Sequence, residues 1–270
     1  MKDPLLISSA DNDIYKGFLR LYKRKYRDRL GLYVIEGRKL IEEALKNGAV
    51  LRDIFLREDY SPEDIPRGDL EGVRICRLTR SLFDRAADTE TPQGIAAVSE
   101  RPEWTQDEFF QGDDNIIVLD RLQDPGNLGT IIRTADAAGF RKVLVLKGTA
   151  DLFSPKTIRA AAGSLYRVRL LQADSPEEAA DMLRERGFRI ICTAPLGKKL
   201  IYQADMKRSA ALVIGNEANG VCHSLLDMAD ETVRLPMEGN IESLNAGVAA
   251  SVVMYESVRQ RISEGSGIEA

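Results

Sequence analysis

From Asn115 onward, short apolar runs alternate with segments of helical pattern. Ile116–Leu119, Val143–Leu146, Arg189–Cys192 and Ala211–Ile214 lack the in–out alternation of a half-exposed strand. Such runs are expected of strands buried on both faces, which occur where helices cover a parallel sheet on either side. The second part of the chain is therefore confined to an α/β architecture. The clearest helix starts at Ser175-Pro176-Glu177-Glu178, a capping-box pattern with Pro at the first helical position, and ends near Gly187. A last helix spans about Leu244 to Ile262, and the tail Ser263–Ala270 reads as frayed.

At 270 residues the chain has room for two modest domains. Residues 1–100 read as a small α/β unit. Tyr33-Val34-Ile35, Leu51–Leu56 and Val73–Leu78 are strand candidates, and Lys39–Lys46 carries Leu40, Ile41, Ala44 and Leu45 at helical spacing before Gly48. Residues 101–114 (RPEWTQDEFFQGDD) are acidic and aperiodic, and read as a linker. Residues 115–270 form the alternating unit.

No apolar run approaches the roughly 18 residues that would span a bilayer, and the start, Met1-Lys2-Asp3-Pro4, has no signal-peptide core. Cys76, Cys192 and Cys222 are far apart and His223 is the sole histidine, so neither a disulfide framework nor a metal site is expected. These features point to a cytoplasmic protein that needs no membrane and no metal. The net charge of −4 argues at first against a polyanionic partner. Its distribution reverses that: residues 16–29 hold seven Lys/Arg against one Asp. Local charge sets where a polyanion docks. Arg20, Lys23, Arg24, Lys25 and Arg27 are candidate RNA contacts, although a basic run can equally be a solvated helix face. Tyr22 and Tyr26, four apart, are core-facing or base-stacking.

The strand Ile116–Leu119 runs into Asp124-Pro125-Gly126-Asn127-Leu128-Gly129, and a helix carrying Arg133 on its second turn follows. Unpaired N–H groups at such a strand-to-helix turn favour an active site. Two later segments share this character: Leu212–Val221, containing Gly215-Asn216-Glu217-Ala218-Asn219-Gly220, and Arg234–Asn245, containing Leu235 and Ser243-Leu244-Asn245. The G-x-G-x-x-G of a dinucleotide site is missing from the chain. Taken singly, each turn is explained by the tolerance of Asn and Gly for positive φ.

Taken together and in this order, the three segments resemble the three motifs of the SpoU/TrmH family of RNA 2′-O-methyltransferases, in the SPOUT superfamily. Ser154-Pro155-Lys156 and Arg159–Ser164 match a further family segment, and Tyr33–Gly37 with the helix after it resembles the family's ribosomal-protein-like substrate-binding domain. The resemblance implies a SPOUT domain with a trefoil knot, S-adenosylmethionine as cofactor, an RNA substrate and a homodimer. It assigns Asn127, Arg133, Glu217, Ser243 and Asn245 to the catalytic centre. Thr193, Gly215, Leu235, Leu244 and Asn245 are assigned to the cofactor. Where many relatives read Ser-Leu-Asn-Val-Ser, this chain has Ser243-Leu244-Asn245-Ala246-Gly247, and Gly247 takes no role.

Methyl transfer from a sulfonium to a ribose hydroxyl needs positioning and proton removal, and no metal. The resemblance implies Arg133 as the base. A guanidinium whose pKa exceeds ~12 is poorly suited to that, so clamping phosphate and stabilising an oxyanion stands as the other reading. Glu217 either pairs Arg133 or anchors its loop. The resemblance favours ribosomal RNA over transfer RNA, because the separate N-terminal domain is similar to that of the family's ribosomal RNA enzymes. A family member that grips RNA without catalysis is the reading from a different class, and survival of the motif residues argues for the enzyme.

Overall fold

The computed structural model describes residues 5–241 and 243–263. The expected frayed tail beyond Ser263 lies outside them. Along the first hundred residues run β1 (Leu5–Ile7), α1 (Asp13–Arg20), α2 (Arg24–Leu30), β2 (Leu32–Glu36), α3 (Arg38–Lys46), β3 (Leu51–Arg57), β4 (Arg74–Leu78), α4 (Arg80–Ala86) and β5 (Ile95–Glu100). Then follow α5 (Gln106–Phe110), β6 (Ile116–Leu119), α6 (Pro125–Ala137), β7 (Lys142–Leu146), α7 (Pro155–Ala161), β8 (Arg169–Ala173), α8 (Pro176–Glu185) and β9 (Arg189–Thr193). The chain continues through β10 (Lys199–Leu200), β11 (Ala210–Ile214), α9 (His223–Met228), β12 (Glu231–Arg234) and α10 (Ala246–Ser263). Among the described residues no helix is long and apolar enough to cross a membrane.

Two compact units emerge: Met1–Pro102 with Asp151–Tyr166, and Glu103–Ala150 with Arg167–Ala270. The first is a mixed sheet in the order β1-β4-β3-β5-β2, in which β5 runs antiparallel to both its neighbours. Its core gathers Tyr15, Phe18, Val34, Phe55, Leu78 and Phe83, with Phe18 stacked on Phe55 at 4.3 Å. Residues 151–166 fall inside the stretch that sequence pattern alone joins to the second unit. They pack in the first because their apolar groups are satisfied there: α7 lies on β2 and Phe153 meets Tyr33 at 4.9 Å.

The second unit is a seven-stranded sheet in the order β10-β12-β9-β11-β6-β7-β8, with every pairing parallel. Alternate strand residues such as Ile116, Val118, Leu144, Ile190 and Val213 meet α5, α8 and α9 in one core. Period-2 alternation sends Ile117, Leu119 and Leu212 to the opposite face, where α10 packs on α6 and on β11. The short apolar runs are thus strands covered on both sides. Segment 101–114 is not a plain linker. Thr105 and Glu108 form a reciprocal capping box, and Phe109 and Phe110 are buried in the core of this unit. Two aromatic anchors outweigh the acidic composition around them.

Candidate active site

In an all-parallel sheet the carboxyl ends of the strands share one edge, where ligands of open α/β folds bind. Here the loops after β9, β11 and β12 line an open cavity of about 750 Å³. Thr193, Gly215, Leu235 and Leu244 line it, and so do Glu217, Ser243 and Asn245. Apolar Ile214, Val233 and Met237 line it as well. A space of this size and mixed lining suits a nucleoside-sized ligand. Gly215 has a packing reason: a Cβ there would lie 2.2 Å from the Gly220 backbone, where Asn216 and Gly220 bridge each other through both N–H groups.

The three polar segments are tied to one another. Glu217 accepts from the Gln123 N–H at 3.0 Å, from the Asp124 N–H at 3.1 Å and from Asn127 Nδ2 at 3.1 Å. Asn245 Nδ2 in turn donates to Asn127 Oδ1 at 2.9 Å. Asn245 Oδ1 accepts from the Gly247 and Val248 N–H groups and so caps α10. Asp124 caps α6 through the Asn127 N–H at 2.9 Å. Partial burial pushes the Glu217 carboxyl up, but the donors from Gln123, Asn127 and Asp124 outweigh it and hold the group below its usual range. Glu217 therefore anchors its loop to the first motif instead of pairing Arg133.

Arg133 departs from expectation. Asp124 and Pro125 start α6 early, so Arg133 falls on the third turn and not the second. It is exposed, lies outside the cavity lining, and has no ion-pair or hydrogen-bond partner among the described residues. Asn127 likewise meets the site through Asn245 and Glu217 rather than as a wall of the cavity. Thr193 presents a hydroxyl already donated to the Val213 carbonyl at 2.8 Å. His223 is exposed at the start of α9. Among the described residues no three His, Cys, Asp or Glu side chains cluster to hold a metal.

The basic segment of the first unit is broken, not continuous: α1 ends at Arg20 and α2 begins at Arg24. Arg20, Lys23, Arg24 and Lys25 are exposed. Arg27 is not available to RNA. It is 4% exposed, its Nε donates to Asp151 at 2.9 Å and its Nη1 to the Leu21 carbonyl at 2.7 Å. Its partners Asp151 and the Leu21 carbonyl, and not helical spacing from the exposed Arg24, turn it inward. Tyr22 packs partly buried against the core of the unit, so the core-facing reading holds for it.

Sequence reasoning missed three supports. Asp120 is fully buried, accepts from the Cys222 N–H at 2.6 Å and pairs with Arg121 at 2.7 Å. Arg121 adopts φ 56°, unusual for a residue with a Cβ, and its carbonyl receives both Gln123 Nε2 and Asn216 Nδ2 at 2.8 Å. Asn216 Oδ1 caps its own turn by accepting from the Ala218 and Asn219 N–H groups. A charged Asp-Arg pair directly after an apolar strand was the available signal.

The model described as the SpoU rRNA methylase family matches residues 114–255, and that of the MRM3-like substrate binding domain matches residues 12–97. The chain is 38% identical over 92% of its length, and 97% of the relative's, to the 23S rRNA (guanosine(2553)-2′-O)-methyltransferase RlmP of Bacillus subtilis. It is 33% identical, over 90% of its length and 88% of the relative's, to a 23S rRNA (uridine(2479)-2′-O)-methyltransferase of Streptomyces viridochromogenes. Among solved structures, the SpoU methyltransferase AviRb of the same organism, in complex with AdoMet, superposes with a TM-score of 0.85. That match covers 93% of this chain and 99% of AviRb at 29% identity.

Proposed function

The chain belongs to the SpoU rRNA methylase family, and from that premise we propose that it methylates a ribose 2′-hydroxyl of ribosomal RNA, with S-adenosylmethionine as donor. The observation that carries this is the hydrogen-bonded junction Asn245–Asn127–Glu217 beside the cavity. Three segments far apart in sequence converge there, each supplying the polar group its motif requires.

The cavity fits the cofactor: its volume holds a nucleoside and an amino-acid tail, and Gly215 lets backbone approach closely. Bound S-adenosylmethionine would supply an electrophilic methyl group. Leu235 and Leu244 would pack on it, the loop backbone at Thr193 and Gly215 would orient it, and Ser243, whose hydroxyl has no partner among the described residues, is free to bond its polar end. Asn127, Asn245 and Glu217 keep those loops fixed before substrate arrives, which places the reacting atoms without further ordering cost. Arg133 holds the substrate phosphate and stabilises the developing 2′-oxyanion.

We further infer a homodimer built on α10. Val248, Val252, Tyr255 and Ile262 form an exposed apolar seam at helical spacing. A seam of this kind beside α6 calls for a second copy, and Arg133, exposed on α6, then serves the partner subunit's site. Arg20, Lys23, Arg24 and Lys25 of the first unit bind the RNA backbone. We place the protein in the cytoplasm, with the ribosomal RNA it would modify. Mapping 2′-O-methylated riboses in total RNA from cells with and without the gene tests the function. One ribosomal position should lose its methyl group, whereas loss confined to transfer RNA, or no loss at all, would overturn it.

A further inference from the structure

Leu196 is 95% exposed, the most exposed of the large apolar side chains described. It does not sit on a loose loop. The Gly197 N–H donates to the Ala194 carbonyl at 3.0 Å, and the Ala194 N–H to the Val233 carbonyl at 2.8 Å. Arg234 Nη1 donates to the Gly197 carbonyl at 2.6 Å, and the Lys198 N–H to Thr232 Oγ1 at 3.2 Å. Gly197 itself lies so close to β12 that a Cβ would come 2.4 Å from the Val233 carbonyl carbon. Ala194, Gly197 and Lys198 are thus clamped on either side of a leucine held out in water, at the cost of its exposure.

The position is informative. Ala194 and Pro195, the two residues before Leu196, line the cavity, so Leu196 stands on its rim. Lys198, two residues on, is exposed and without an ion-pair partner among the described residues, whereas Lys199 is held by Glu231 at 2.8 Å. An apolar side chain next to a free cation suits a nucleotide, whose base is flat and apolar on its faces and whose phosphate is anionic. A ribose hydroxyl inside a stacked helix cannot be brought in line with a donor in a cavity, so the target nucleotide must leave its stack and its base needs new cover.

Resting on the methyltransferase reading above, we propose that Leu196 packs against the unstacked base of the nucleotide to be methylated while Lys198 meets a flanking phosphate. The rigid turn makes Leu196 a fixed stop that sets how far the nucleotide enters. Being exposed, it can be changed without threat to the fold.

The test compares the full-length protein with Leu196→Ala and Leu196→Met on two RNAs, one intact and one abasic at the methylated nucleotide. If the parent protein methylates neither, the function reading fails and not this one. With an active parent, Leu196→Ala should lose about tenfold or more in kcat/KM on intact RNA, the scale of a lost leucine contact. It should lose nothing further on abasic RNA, Leu196→Met should recover to within about twofold, and calorimetric affinity for S-adenosylmethionine should stay put. Unchanged kcat/KM, an equal loss on abasic RNA, or a matching fall in cofactor affinity would each overturn the proposal.

Discussion

Asn127 is the residue on which the three motifs converge, bonded to both Asn245 and Glu217, and the ionised form of Glu217 is the one its donors recognise. Its carboxyl titrates below the usual range, so its stabilising contribution is complete above the ordinary glutamate value of about 4.3 and is lost as pH falls through the depressed folded value. Glu217→Gln should therefore melt below the parent at neutral pH, with the gap closing in acid; a gap that is constant with pH would refute the linkage. Arg27 behaves differently. Its side chain and that of Asp151 are 5% and 11% exposed. Removing one partner strands a buried charge, so Arg27→Ala should cost about 3–5 kcal/mol by denaturant unfolding, and a loss under 1 kcal/mol would show the pair to be dispensable. Gly247, given no role from sequence, is tight in its place: a Cβ would lie 3.2 Å from Asn245 Oδ1 and 3.3 Å from Thr130. Polar motif residues were legible because their types and order are specific. Which cation of a basic run turns inward was not, because that depends on a distant Asp151.

At the scale of elements, the central strands were readable within a residue or so, since burial on both faces leaves an uninterrupted apolar run. β12 escaped notice because only Val233 of its four residues is buried. β5 escaped because Ala96 and Ala97 carry little strand preference, though both are buried. Exposed cations line α1, α2 and the turn between them, and neutralising four of these, Arg20, Lys23, Arg24 and Lys25, should weaken RNA binding without altering cofactor affinity. The log–log salt slope should flatten by roughly 0.9 for each lost duplex phosphate contact, less for single strands. An unchanged slope would return the segment to a solvated face. α10 is apolar on both its inner and outer sides, with Val253 and Met254 buried and Val252 and Tyr255 exposed. If α10 carries the proposed dimer seam, the parent should sediment as a dimer and Tyr255→Glu as a monomer; a monomeric parent, or a dimer that persists in the variant, would contradict that seam.

For the whole molecule, the division of labour is less linear than the sequence. Residues 151–166 belong to the matched methylase region yet pack in the first unit, so a fragment 115–270, cut where the sequence pattern divides the chain, would leave Phe153 and Ile158 without their cover. If Arg133 serves the partner subunit, Arg133→Ala and a cavity-blocking Leu235→Arg, each inactive alone, should regain activity when mixed. One intact site then combines a sound cavity with a sound arginine, and no recovery would mean that Arg133 acts in its own subunit. The central claim is that the chain methylates a ribose oxygen in RNA, and one measurement addresses it directly: transfer of labelled methyl from S-adenosylmethionine to ribosomal RNA fragments that differ only in a 2′-hydroxyl or 2′-hydrogen at the target nucleotide. Label should enter the hydroxyl-bearing RNA as a 2′-O-methylnucleoside and not the deoxy form, although both bind. Label on a base, or equal incorporation into the two, would contradict the claim.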